Sequence, residues 1–372
     1  KPSSAASDVY KRQELVTLPL ENAIALICET KMSHRGELLA LFPDLSKIIP
    51  ALPDAELCYT LKAVGLGDAG WIVSNATSDQ IKSCVDLDAW HDHEPDTSVF
   101  GHWVSALSDC DDNALAEILR ELDPEVVCLW LRSRISVVLK EDDSDFEPPE
   151  RSQTLDGQFY FVANAEKDDL QELLEVVRIL FQKDYWTYFR LMQAVVWEVD
   201  IENQEWALRW RNGRLQDMGF PEFEEALGIY APIKKKSRDF LPEDREPLTN
   251  EWELPVWLPS LTTSQEEDQN LLRVINELPD NRRQEGLLRL VSLANHVAIA
   301  DKLSLGDSAT LPKAMKKAID VAGKGLDYLS RLHSISQSDI IARAGLVHLF
   351  RIGNALSANA DQVRDEPTDR EL

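Results

Sequence analysis

The sequence is short of the features that staple, anchor or catalyse. Its 372 residues hold five cysteines and no C-x-x-C pair, so a zinc ribbon or a thioredoxin-type redox site lacks its ligands or its paired thiols. Cys28, Cys58, Cys84, Cys110 and Cys128 are odd in number and sit in apolar, helix-like contexts, which reads as reduced, buried thiols of a reducing compartment. With 15 Gly and 18 Pro the chain is neither fibrous nor low in complexity. Basic residues are scarce: 39 Lys and Arg face 65 Asp and Glu, a net charge of -26 and a pI of about 4.6. Phosphate affinity is built from Lys and Arg that release counterions, so generic nucleic-acid binding is excluded and anionic membrane surfaces are disfavoured. No run of about 18 apolar residues marks a transmembrane helix. G-x-S-x-G, P-loop, kinase and zincin motifs are all missing, so no catalytic residue, metal ligand or cofactor is assigned, and the balance leans away from an enzyme.

What is present is the composition of a soluble globular protein, 44% hydrophobic and 28% charged, long enough for two or three domains. Residues 3–13, SSAASDVYKRQ, resemble a translated sequencing-library adapter, so residues 1–13 are set aside as an artefact. The true chain is expected from about Glu14, with its native N-terminus missing and a signal peptide left open. Residues 14–150 read as an irregular superhelix of short helices. Pro53-Asp54 precedes AELCYTLKAV, Thr77-Ser78-Asp79 precedes QIKSCV, and Asp123-Pro124-Glu125 precedes VVCLWLRSR, each a helix-start pattern. ISVVL (135–139) and QFYFVA (158–163) predict one small β-hairpin. Residues 151–232 return to helix and are rich in Trp and Arg. Residues 233–263 read as a proline-rich linker with a basic run at Lys234–Lys236, and 264–356 as a C-terminal helical domain opened by a Ser264/Glu267 capping box. Its apolar stripes run from Leu287 to Ala298 and, as a second helix, from Ile340 to Leu349. Residues 357–372 read as a disordered tail. The expected fold class is mainly α.

Several constellations carry chemistry by letter. Gly65 to Gly70, GLGDAG, matches a dinucleotide fingerprint, yet it follows a predicted helix rather than a strand and carries Asp68 where pyrophosphate would sit, so it reads as a helix cap and turn. His91, His93 and His102, with Asp92 and Glu94, lie in a loop with no fixed face for a metal. Glu141, Asp142, Asp143, Asp145 and Glu147 lack the glycine of a calcium loop and read as a solvated acidic run. His296, His333 and His348 form no H-x-x-x-H or E-x-x-H pair and read as histidines satisfied by backbone. The most informative stretch is Trp206–Tyr230, where arginines interleave with aromatics in an acidic chain. Trp206, Arg209, Trp210, Arg211, Arg214 and Asp217 are the candidate ligand-binding residues, because a guanidinium fork over an indole receives carboxylates and other anions. The same residues also suit an internal ion-pair lattice that fixes a corner at Gly213 and Gly219.

LPDAELCYTLKAVGLGDA (52–69), DLDAW (86–90), LRELDPEVV (119–127), TLDGQFYF (154–161) and RWRNGRLQDMGFPEFEEALGIYAP (209–232) carry a resemblance. They are similar to a bacterial family of long, acidic, mainly helical proteins under a domain-of-unknown-function label, over most of residues 14–355. The LDPEVV-type helices also resemble, more weakly, the N-terminal superhelix of bacterial magnesium transporters. The family resemblance implies a bacterial, cytoplasmic protein and brings no activity with it. The expected function is a non-enzymatic helical scaffold with protein partners, and the alternative is a small-anion-binding protein or enzyme with its pocket around Trp206–Asp217.

Overall fold

Prolines and short polar residues start half of the described helices, with Pro19, Pro53, Thr77, Asp96, Asp111, Asp123, Asp184, Pro279 and Ser336 at the N-cap. In the computed structural model, which describes residues 15, 17–140, 146–164, 170–241 and 270–364, the described residues form 18 α-helices and two small antiparallel sheets, a mainly α protein. The acidic run 141–145, the prolines from Pro242 to Pro259, the Ser264/Glu267 box and residues 1–13 lie outside the described residues. The described chain forms two compact units, dividing after Arg214.

The first unit opens with α1 (Leu20–Glu29), α2 (Met32–Leu39), α3 (Asp54–Val64), α4 (Gly70–Val73), α5 (Ser78–Asp88), α6 (Thr97–Leu107), α7 (Asp112–Glu121) and α8 (Pro124–Arg134). Gly65 closes α3 at φ +96°, a backbone that only glycine adopts freely, and GLGDAG is the turn between two helices. Thr77 and Gln80 form a reciprocal capping box on α5, and the Gln80 amide also donates to the Ile49 and Leu52 carbonyls at 2.9 and 3.0 Å. Arg35 ties the first helices together from a buried position. It donates to Glu56 Oε2 and the Cys28 carbonyl at 2.6 Å and to the Thr30 carbonyl at 3.0 Å. All five cysteines are free and buried, and burial pushes the Cys28 and Cys128 thiols up to about 12, so they stay protonated and inert.

Between α5 and α6 the loop carrying His91 and His93 is itself a tight hairpin, β1 (Trp90–His91) against β2 (Glu94–Pro95), turned by Asp92 at φ 53°. The predicted pairing of 135–139 with 158–163 is present as β3 (Ile135–Leu139) and β5 (Phe159–Ala163), with β4 (Gln153–Thr154) added on the other edge of β5. Alternation along β5 buries Phe159 and Phe161. Phe159 meets Tyr188 edge-on, and the Tyr188 hydroxyl donates to Asp156 at 3.1 Å. The unit continues with α9 (Leu170–Lys183), α10 (Tyr185–Trp197) and α11 (Asp200–Asp217) up to Arg214. Gly213 lies inside α11, so the expected corner rests on Gly219 alone, at φ +85°.

The second unit holds α12 (Phe223–Leu227), α13 (Lys235–Arg238), α14 (Asn270–Asn276), α15 (Asp280–Ala300), α16 (Thr310–His333), α17 (Gln337–Arg343) and α18 (Leu346–Arg364). The stripe on α15 buries Leu290, Val291, Ala294, Val297 and Ala298 as predicted. The stretch Ile340–Leu349, expected as one helix, is two, because Ala344 turns extended (φ -101°, ψ 132°) ahead of Gly345. α18 runs to Arg364, past the expected start of the tail at 357. The basic run of the expected linker forms α13, docked on its own unit: the Tyr328 hydroxyl donates to Asp239 at 2.5 Å and Arg238 lies 5.3 Å over the Tyr328 ring.

Candidate functional site

The arginines of α11 divide between two faces of one helix, as their spacing requires. Arg211 and Arg214 stand three residues apart and point inward; Trp206, Arg209 and Trp210 follow the i, i+3, i+4 rule on the outer face. Arg211 is only 8% exposed. Its Nε donates to the Asp86 carbonyl at 2.7 Å and its guanidinium lies 4.8 Å over the Trp90 ring, and burial lowers its pKa to about 10. Arg214 grips two carboxylates at once. Nε and Nη2 donate to Asp86 at 2.6 and 2.9 Å, and Nη1 and Nη2 to Asp123 at 3.0 and 2.5 Å. These pairings hold the guanidinium charged, while burial pushes the Asp86 carboxyl up against the pull of Arg214.

Asp123 shows why the lattice was hard to read from letters. It occupies the N-cap position of α8 ahead of Pro124, as the sequence suggests, but its carboxylate makes no cap hydrogen bond and goes to Arg214 instead. Asp217, at the far end of α11, is exposed and stands outside this network. Of the six sequence-predicted residues, the structure therefore brings Trp206, Arg209 and Trp210 together at the surface and places Arg211 and Arg214 in a lattice beneath them.

The outer face is stacked and exposed. Trp206 and Trp210 lie 5.8 Å apart with 24° between their planes, and Arg209 sits 5.2 Å over Trp206. On the preceding helix Trp186 and Trp197 are the most exposed of the described tryptophans, at 65% and 58%. Trp186 stacks on Phe189 at 6.0 Å.

A cavity of about 200 Å³, absent from the sequence expectations, lies between the α7–α8 junction and α10. Arg120, Glu125, Thr187, Arg190, Leu191 and Glu198 line it. Burial raises the Glu125 carboxyl above its ordinary range, against the Trp210 indole N–H and its own backbone N–H, which favour the charged form. Thr187, Leu191, Ala194 and Glu198 follow helical spacing on α10, a stripe whose acidic end was the available signal.

His91, His93 and His102 are exposed, and no group of three or more metal-ligating side chains gathers among the described residues. His296 Nδ1 lies 2.8 Å from the Ser292 carbonyl, His333 Nε2 3.0 Å from that of Asp239, and His348 Nε2 3.4 Å from that of Phe240, so each of the three has a backbone partner. No helix among the described residues is long and apolar enough to cross a membrane.

No curated protein and no solved structure matches the chain. A family model does match, over residues 12–367, and by that match the chain belongs to the family of unknown function DUF6178.

Proposed function

We propose that the protein is a non-enzymatic helical scaffold that engages a protein partner through the outer face of α10 and α11. The observation that carries this is the exposed Trp206, Arg209 and Trp210 stack, joined in sequence by exposed Trp186 and Trp197. Large exposed aromatics with an arginine among them are the composition of interface hot spots, since each buries much area at low entropic cost. Exposed Asp200, Glu202 and Glu205 flank the stack on the same helix. Acidic side chains around indole faces suit a partner segment that is basic and apolar, its cations lying over the rings. The small-anion alternative draws less support, because two of the arginines it relies on, Arg211 and Arg214, already serve Asp86 and Asp123.

The test is affinity capture from source cells with the wild type and with a Trp206→Ala/Arg209→Ala double variant, both side chains being exposed. The expected result is a partner retained by the wild type and lost by a variant that still melts normally. Equal recovery by both, or no partner with either, would overturn the assignment.

A further inference from the structure

Charge is laid out unevenly along the chain. Residues 270–364 hold 13 Lys and Arg against nine Asp and Glu, although the whole chain holds 39 against 65, so the acidity belongs to the rest of the sequence. The longest basic run, Lys234–Lys236, stands exposed on α13 and its N-cap. Phe240 follows it and is 60% exposed. That exposure is not slack in the backbone, because the segment is anchored on both sides of the ring. The Asp239 side chain accepts from Tyr328, and the Asp239 and Phe240 carbonyls lie 3.0 and 3.4 Å from the Nε2 atoms of His333 and His348. Leu241, the next residue, is buried, and Leu332, beside His333 in α16, is exposed. A large apolar ring held out to water beside three lysines is the make-up of a contact surface rather than of a relaxed loop.

We infer that this basic, apolar surface docks on the outer α10–α11 face of a second copy of the chain, so that the partner of the scaffold is the protein itself. The inference rests on the docking role proposed for that face and names its occupant. The two surfaces complement each other in charge and in apolar area. Glu202 stands one turn before Trp206, and Trp206 one turn before Trp210, all exposed on one side of α11. Trp197 and Ile201 expose further apolar area, at 58% and 62%. The lysines of one copy can lie over the indoles of the other, with Glu202 and Glu205 as counter-charges, and Phe240 adds its ring to the aromatic row. Two copies that each carry a net charge of -26 repel one another at long range. Beyond about 8 Å that repulsion is largely screened at physiological salt, which leaves the local pairing to decide. The contact joins two different surfaces, so it is heterologous, and each copy brings one of each.

The experiment is sedimentation velocity of the full chain over a concentration series up to about 100 μM, where contacts with a dissociation constant of that order become visible. It compares the wild type with Glu202→Lys/Trp206→Ala on the α11 face and Lys235→Glu/Phe240→Ala on the α13 face. All four side chains are exposed, so both variants are expected to fold, and melting curves check them. The expected result is concentration-dependent association of the wild type, weakened tenfold or more in each variant alone. Mixing the two variants should restore a one-to-one complex, since one then supplies an intact α13 face and the other an intact α11 face. A wild type that stays monomeric across the series overturns the inference. So does association that either folded variant keeps at wild-type strength, or that mixing fails to restore. The docking role of α11 is decided separately, by whether the Trp206→Ala/Arg209→Ala variant releases a different protein in affinity capture.

Discussion

At the scale of single residues, the paired charges under α11 set the local energetics. The Asp86 side chain is 3% exposed and that of Arg214 28%, so removing the arginine strands a carboxylate away from water. Breaking a buried pair by deleting one partner costs about 3 kcal/mol or more, and Arg214→Ala is expected to lose about that much in urea unfolding while the outer tryptophans keep their fluorescence. Glu125 behaves differently because burial, not pairing, dominates its titration. Its folded pKa lies above the ordinary value of 4.5, so the folded state binds the extra proton. The contribution of the neutral acid is fully present below pH 4.5 and is lost as pH rises through the folded pKa. Glu125→Gln should therefore be more stable than the wild type at pH 7, and the gap should close towards pH 4 in thermal melts taken across that range. A gap that stays constant with pH would show that Glu125 is not the titrating group. The residue types of the α11 lattice were legible, since Arg interleaved with Trp in an acidic chain is conspicuous. Its partners were not, because Asp86 and Asp123 lie 128 and 91 residues from Arg214, and nothing local marks which carboxylates a distant arginine will meet.

At the scale of elements, local chemistry predicted more than periodicity did. Thr77 and Gln80 cap α5 as their letters suggest, and the β-branched run 135–139 found its partner at 159–163. The stripe from Ile340 to Leu349 misled because an apolar pattern continues through Ala344 and Gly345 while the backbone does not. The short β1–β2 hairpin was hidden for the opposite reason, with two residues in each strand and no alternation to read. Helix crossing in the second unit turns on two glycines. A Cβ at Gly353 of α18 would stand 1.8 Å from the Val321 carbonyl oxygen, and one at Gly325 of α16 would stand 2.0 Å from that of Leu349. Neither obstacle is a side-chain tip that can swing away, so alanine must push the two backbones apart. Gly353→Ala is expected to cost about 3 kcal/mol, at the upper end of overpacking penalties. Gly213→Ala, inside α11 with nothing within 4 Å of the new methyl, should gain about 0.5 to 1 kcal/mol from helix propensity. Denaturant midpoints of the two variants moving in the same direction would refute this account of the crossing.

At the scale of the whole molecule, composition acted as a filter. A net charge of -26 argues against polyanionic partners through counterion release, and the same acidity favours the basic, apolar partner proposed for the α11 face. By itself the sequence determined the class of the fold, the starts of the helices after Pro53, Thr77 and Asp123, the one strand pairing with a clear β-branched signal and the buried state of the cysteines. All of these follow from side-chain chemistry within a few residues and from hydrophobic period. Tertiary structure alone decided which arginines of α11 are spent and which face solvent. It also brought Glu125 and Glu198 to one cavity with Arg120 and Arg190, and it placed the division between units after Arg214. Those outcomes depend on contacts between residues tens to hundreds of positions apart, where burial and charge pairing act through space and leave no pattern along the chain.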